Sequence, residues 1–270
     1  MKARHLLASF VWLLAASLAT HALAQADSTS TEPIPPEPAA SGLYASVAAG
    51  SGIGERSLAI PSRRSDRRLS TGVFPALEVS MQGEVAVRRW LVGAAASYHT
   101  AVGLQAAAIA PRAGNTVEGA QLRSNSLTFG FVPGYRFGRT YDSVALRVLV
   151  GWAFRSLHTV VDLETPSFSL HGFDLRPELT VPLDHGVIVL RIAPELQIIA
   201  GASRALVEVT SAALPGVAFG GEASIAVRLF QGLFAALSYR ESYAMLSTPW
   251  GSYVRDSERF VTVQLALHRH

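Results

Sequence analysis

Cysteine is missing from this 270-residue chain, and Lys2 is its only lysine. Without cysteine there is neither a disulfide framework nor a thiolate nucleophile. Charge is sparse: 16% of residues are Asp, Glu, Lys or Arg, and the formal net charge is +3. The eight histidines are scattered and no dense acidic loop occurs, so neither a metal nor a cofactor is expected. The sustained apolar run at 6–19 has 14 residues, short of the roughly 20 that a membrane-crossing helix needs. Residues 90–110 carry no formal charge, but their Gly, Ser, His, Thr and Gln content argues against a helix in hydrocarbon.

The short run has a different anatomy. Lys2 and Arg4 precede it and Ala22-Leu23-Ala24 follows it, the charged, apolar and small-x-small parts of a secretory signal peptide. Cleavage is expected after Ala24, with Ala26 as the alternative. Loss of 1–24 removes Lys2 and Arg4 and no acid, leaving a net charge of +1. The basic pI therefore gives no reason to expect a nucleic-acid partner. Residues 25–41 contain four prolines and one large apolar residue, Ile34. Such a segment cannot offset its ordering entropy by burial, and it is expected to be a flexible periplasmic leader.

From Gly42 onward the apolar residues alternate. In 144–154 the even positions are Val144, Leu146, Val148, Val150, Trp152 and Phe154. In 173–183 the odd ones are Phe173, Leu175, Pro177, Leu179, Val181 and Leu183, against Asp174, Arg176, Glu178 and Thr180. Only a strand sends neighbours to opposite faces in this way. Ten segments follow the pattern: 42–51, 72–82, 90–100, 124–137, 143–155, 168–183, 187–200, 217–230, 233–243 and 259–269. Most exceed the usual five or six residues of a globular strand and match the roughly 9–11 of a tilted transmembrane strand. Connections also alternate. Long ones are expected at 52–71, 101–123, 156–167, 201–216 and 244–258, short ones at 83–89, 138–142, 184–186 and 231–232.

This pattern resembles the small bacterial outer-membrane β-barrel superfamily over 42–270. The resemblance implies an all-β, transmembrane, antiparallel up-and-down barrel of ten strands, with eight or twelve as alternatives. It also implies short periplasmic turns, long outer loops, both termini in the periplasm and the barrel-assembly machinery as a partner in biogenesis. It implies location and fold but no activity. The chain departs from the family at its end, His268-Arg269-His270, where an aromatic usually closes the last strand. Pro75, Pro133, Pro177 and Pro194 fall inside proposed strands, and bulges or shifted boundaries are expected there.

The outward face of these strands is uniformly apolar, and the opposite face mixes small residues with charges. The expected inward set is Glu78, Arg136, Arg147, Arg155, Asp174, Arg176, Glu178, Arg191, Glu195, Gln197, Glu222, Arg228 and Arg240, seven arginines against five carboxylates. Glu241 falls in the outward phase near the outer rim. Trp90 and Phe137 are expected at the periplasmic interface, and Tyr98, Trp152, Phe154, Phe173, Phe219 and Tyr239 at the outer one.

Rim chemistry has few candidates. His99, His158, Asp162 and Asp256 have the residue types of a surface protease, without clear paired acids on separate strands. Ser97-Tyr98-His99 and Ser156-Leu157-His158 have those of a lipid-A-modifying enzyme, but Ser97 and His99 point inward and no oxyanion set completes them. Gly50-Ser51-Gly52-Ile53-Gly54 leads into no helix, so a phosphate loop is excluded. Arg63, Arg64, Arg67 and Arg68, in the first long loop, could clamp lipopolysaccharide phosphates, or simply be solvated. The expected partners are thus outer-membrane lipid and lipopolysaccharide. Three functions compete. A structural or surface-interaction barrel with a salt-bridged interior comes first, a small anion-favouring pore second and a rim enzyme last.

Overall fold

A computed structural model of the chain describes residues 42–61, 67–101, 104–105, 108–109, 121–138, 143–159, 167–230 and 232–269. The expected signal peptide and leader lie outside the described residues, as do Arg63, Arg64 and Asp162. Ten long strands run in order: β1 Gly42–Ile60, β2 Arg67–Val87, β3 Trp90–Ala101, β4 Gln121–Arg136 and β5 Ala145–Thr159, then β6 Phe168–Leu183, β7 Ile188–Ala202, β8 Gly216–Phe230, β9 Leu233–Ser247 and β10 Tyr253–Arg269. Each pairs antiparallel with its neighbours in sequence, and β10 returns to β1 from Ala45↔Arg269 to Ala59↔Arg255, closing a barrel. Two-residue strands at Leu104–Gln105 and Ala108–Ile109 add to β4 and β2. One helix, α1 Arg204–Thr210, lies in the connection from β7 to β8.

All ten expected segments are strands, and the wall they form is apolar on its outside. Val47, Val79, Val92, Phe131, Leu196, Ile198, Val263 and Leu265 are all exposed. A closed ladder with such a wall satisfies its backbone internally, which is what hydrocarbon demands. This is an outer-membrane-type barrel.

Two long connections differ most from expectation. β1 and β2 stay paired to Ile60↔Arg67, and β9 and β10 to Ser247↔Tyr253. The first long loop shrinks from 52–71 to 61–66, and the last from 244–258 to 248–252. In these extensions the outward residues are mixed: Glu55, Ser57, Ser70, Arg68, Ser257 and Arg255 are interspersed with Ala59, Met245 and Tyr253. A search for an apolar outward face therefore stops where the wall leaves the lipid, although the strand continues. Arg67 and Arg68 are accordingly strand residues, not loop residues.

The prolines also differ from expectation. Pro177 and Pro194 oppose each other across β6 and β7, and the ladder there is open between Leu175↔Leu196 and Leu179↔Ile192 without loss of register. Pro133 interrupts the β4–β5 ladder in the same way, between Phe131↔Val150 and Gly134↔Arg147. No bulge forms at these sites, because a missing donor removes a hydrogen bond without adding a residue. The register shifts lie elsewhere, at Glu55/Ser57, His171/Gly172 and Arg228/Phe230.

Candidate functional site

The interior is the candidate site, and it has three levels. At the end of the long connections, the end expected to face outward, Leu58, Ile60, Leu69, Phe74, Leu122, Leu157, Phe168, Leu170, Ile199, Leu246, Val254 and Phe260 form one buried apolar cluster. Leu206 of α1 and Ala212 after it join the same cluster, so the connection between β7 and β8 drops into the mouth as a stopper. Glycines in β1 make room for this packing. A Cβ at Gly54 would sit 2.7 Å from the Phe260 ring and 2.8 Å from that of Phe74, and one at Gly52 would strike the Val261 carbonyl. The glycine-rich run 50–54 is thus a packing device.

Inside this apolar end sits one ion cluster. Arg56, fully buried, places Nη2 2.7 Å from Asp256 Oδ2 and Nη1 2.7 Å from Glu258 Oε1. It also donates to Ser124 Oγ and, at 3.0 Å, to the Ser156 carbonyl, with its guanidinium over the Phe168 ring. A buried guanidinium with two carboxylates and further acceptors is an arrangement that compensates its lost hydration.

A charged belt crosses the middle of the barrel. Glu195 receives Arg155 at 3.1 Å, Arg176 at 3.3 Å and Arg240 at 3.1 Å, from three different strands. Arg176 also meets Asp174 at 3.3 Å. Arg240 Nη1 lies 2.9 Å from His99 Nε2, which is 3.4 Å from Glu78 Oε1, and Thr262 donates to Glu78 Oε2 at 2.9 Å. Gln197 donates to the Ala153 carbonyl. Side chains from opposite walls thus meet across the lumen, as cross-barrel pairs in a narrow interior must.

Below the belt the lumen opens into a cavity of about 230 Å³ that extends to Ser143 and Gly186 at the short turns. Arg147 there grips Glu84 with two contacts of 2.8 Å and lies 3.7 Å from Glu178, which Arg191 also meets at 2.8 Å. Arg136 stacks over Tyr44 and Arg228 over Phe234. Glu222, Glu78 and Arg176 also line the cavity.

The structure places the charged residues of the expected inward set either in the belt or on the cavity lining. Sequence reasoning missed Arg56, Glu84 and Glu258 and gave Asp256 only a rim role, because all four fall in stretches expected to be loops and a turn. Their phase was available: Val254, Asp256, Glu258 and Phe260 alternate with Arg255, Ser257 and Arg259. Two of the rim candidates are not at the rim. His99 is buried in the belt, and Asp256 is bound to Arg56. His158 is exposed at the end of β5, so the residues proposed for rim chemistry are not brought together among the described residues. Glu241 is outward as expected, accepting from Tyr239 at 2.8 Å and Arg259 at 2.5 Å, and from Tyr243. At the rim beside the short turns Trp90, Tyr135 and Phe137 form an edge-to-face ladder. Arg68 is exposed on β2.

No family model matches the sequence, and no characterised protein sequence matches it. Solved structures of similar architecture include the outer membrane protease OmpT of Escherichia coli, at 8% identity and a TM-score of 0.49, covering 89% of this chain and all of that one. The translocator domain of the autotransporter NalP from Neisseria meningitidis has 12% identity and a TM-score of 0.41 over 97% of this chain and 98% of that one. Ail, the attachment invasion locus protein of Yersinia pestis, has 10% identity and a TM-score of 0.35 over 83% and 99%. Likeness at this level transfers no role.

Proposed function

We propose that the chain is a sealed barrel of a bacterial outer membrane, exported by a cleaved signal peptide, with a structural or surface-presenting role rather than a catalytic or conducting one. The observation that carries this reading is the apolar core in the outer half of the lumen. A water-filled path needs a polar wall along its length. Here Phe168, Leu170, Leu246 and Phe260 fill the outer end, and the Glu195 belt lies beneath them. The outward apolar wall supports contact with outer-membrane lipid, and insertion would fall to the barrel-assembly machinery. Arg63, Arg64, Arg67 and Arg68 are the proposed contacts of lipopolysaccharide phosphates at the outer end. Planar-bilayer recording of protein whose heat-modifiable gel shift proves it folded tests the sealed lumen. No stable openings are expected. Stable openings whose reversal potential follows an anion gradient would overturn the reading in favour of a pore.

A further inference from the structure

The outer wall of the β10–β1–β2 seam carries an ordered polar patch where its apolar surface ends. Val261 and Ile53 are exposed and close the apolar wall on β10 and β1, and Pro75, level with Ile53 and also exposed, closes it on β2. Register then stacks three outward rows above them. The first is Arg259, Glu55 and Val73; the second is Ser257, Ser57 and Ser70; the third is Arg255, Ala59 and Arg68. The Ser57 and Ser257 hydroxyls are 2.7 Å apart. Arg259 is held at the patch's edge by Glu241 at 2.5 Å and Tyr243 at 2.8 Å. Arg255 and Arg68 are both exposed, and no carboxylate among the described residues forms an ion pair with either.

A single irregularity brings Arg68 into this patch. Above Val73 the pairing slips from Glu55↔Val73 to Ser57↔Ser70, so β2 carries an extra residue. Gly72 adopts φ +59, and Thr71 turns inward, where Oγ1 accepts from the Arg56 N–H at 2.9 Å. Such a bulge reverses the facing of every residue beyond it. Without it Leu69 would face outward and Arg68 inward. With it Leu69 is 2% exposed in the apolar core, and Arg68 stands beside Ala59 opposite Arg255. Strands about 4.8 Å apart place these two arginines roughly 10 Å from each other across a small residue, a span that two long side chains close over one phosphate. The serines beneath supply hydroxyl donors.

We propose that this patch binds the phosphorylated sugar headgroup of an outer-leaflet glycolipid. Its height commits it to a lipid. The acyl chains would lie on Ile53, Val73 and Val261 directly below, and the phosphate between Arg68 and Arg255, where guanidinium groups make paired charge-assisted hydrogen bonds. The proposal rests on the reading that the long strand extensions emerge on the outer side of the membrane.

Native mass spectrometry of the folded barrel with bis-phosphorylated lipid A tests it. Arg68→Gln with Arg255→Gln is expected to lower lipid retention about ten-fold or more. Arg88→Gln with Arg89→Gln, in the opposite turn, is expected to leave it unchanged. Wild-type protein should hold dephosphorylated lipid A as weakly as the variant holds the phosphorylated form. Inorganic phosphate at millimolar concentration should not displace the lipid. Unchanged retention in the folded double variant overturns the proposal, and displacement by inorganic phosphate reassigns the patch to free anions and overturns it too. Pro249→Cys, in the 248–252 turn of this cysteine-free chain, separates the two levels of failure. Absence of labelling by an impermeant maleimide on intact cells would sink the orientation and the proposal together. Labelling with unchanged lipid retention would sink the proposal alone.

Discussion

The two ends of the lumen are built by opposite rules. The outer end is packed like the interior of a soluble protein, with Leu58, Leu157, Leu170 and Ile199 each at most 2% exposed. The periplasmic end keeps a cavity of about 230 Å³ walled by Arg147, Arg191, Glu84 and Glu178. The difference follows from what surrounds each end. In the lipid the outside of the wall must be apolar, so the alternation leaves the polar residues inside. Beyond the lipid the outside is wet, so the same alternation is free to invert, and an apolar core becomes possible. The belt around Glu195 is the border between the two regimes. Three arginines from β5, β6 and β9 converge on one carboxylate of β7 there, which couples strands that are not all neighbours.

The sharpest break in that comparison is at the border itself. Glu195→Ala strands Arg155, Arg176 and Arg240 in a site where Glu195 is 4% exposed. Removing one partner of a buried ionic group costs about 3–5 kcal/mol, and here three arginines each lose a carboxylate, with Arg176 keeping Asp174. The expected outcome is a barrel that loses its heat-modifiable shift at a much lower temperature than wild type, or never acquires it. A midpoint within a few degrees of wild type would show that Asp174 and water replace the lost carboxylate, and that the belt is not the structural border.

The next effect contrasts the two ends directly. Phe168, 1% exposed, packs over Arg56 in the stopper, whereas Tyr44 lines the periplasmic cavity beneath Arg136. Truncating a packed aromatic costs about 3–5 kcal/mol because the void cannot refill. At Tyr44 water can occupy the vacated volume, so Tyr44→Ala should cost about half as much or less. Urea unfolding of the two variants in detergent gives the comparison. Equal losses would mean that the cavity is as tightly packed as the stopper, and that the two ends do not differ as described.

Residues 144–154 and 173–183 explain why most of the barrel was legible. Their outward face is the apolar wall, which carries no charge, so the period of two stands out cleanly. The hairpin extensions were illegible for the same reason. Past Ile53 and Val261 both faces carry polar residues, and an apolar-face criterion has nothing to follow, so Arg56, Asp256 and Glu258 passed for loop residues. The bulge at Thr71-Gly72 compounded this by moving Leu69 and Arg68 to the faces that the phase of Val73 denies them. Cross-lumen partners lay beyond any such reading. That Glu195 meets Arg155 and Arg240 depends on barrel curvature, which local period does not encode. Glu84 falls within the turn expected at 83–89, whereas only Arg88 and Arg89 separate β2 from β3.

The smallest expected effect concerns the one row where the wall itself is incomplete. Pro133, Val148, Pro177, Pro194 and Gly221 succeed one another across five strands, by register or directly opposite, on the lipid side. Prolines facing each other at 177 and 194 leave the carbonyls beside them short of donors, and hydrocarbon offers no water to substitute. Pro194→Val restores one N–H and adds a β-branched side chain suited to an outward position. A net gain of about 1 kcal/mol is expected from the added hydrogen bond, read as a modest rise in the temperature of the gel shift. Amide exchange on β6 and β7 should slow at the same time. If the variant is instead destabilised, the gap is held open by strain that the new side chain worsens, and the prolines would then be set by local curvature rather than tolerated as defects.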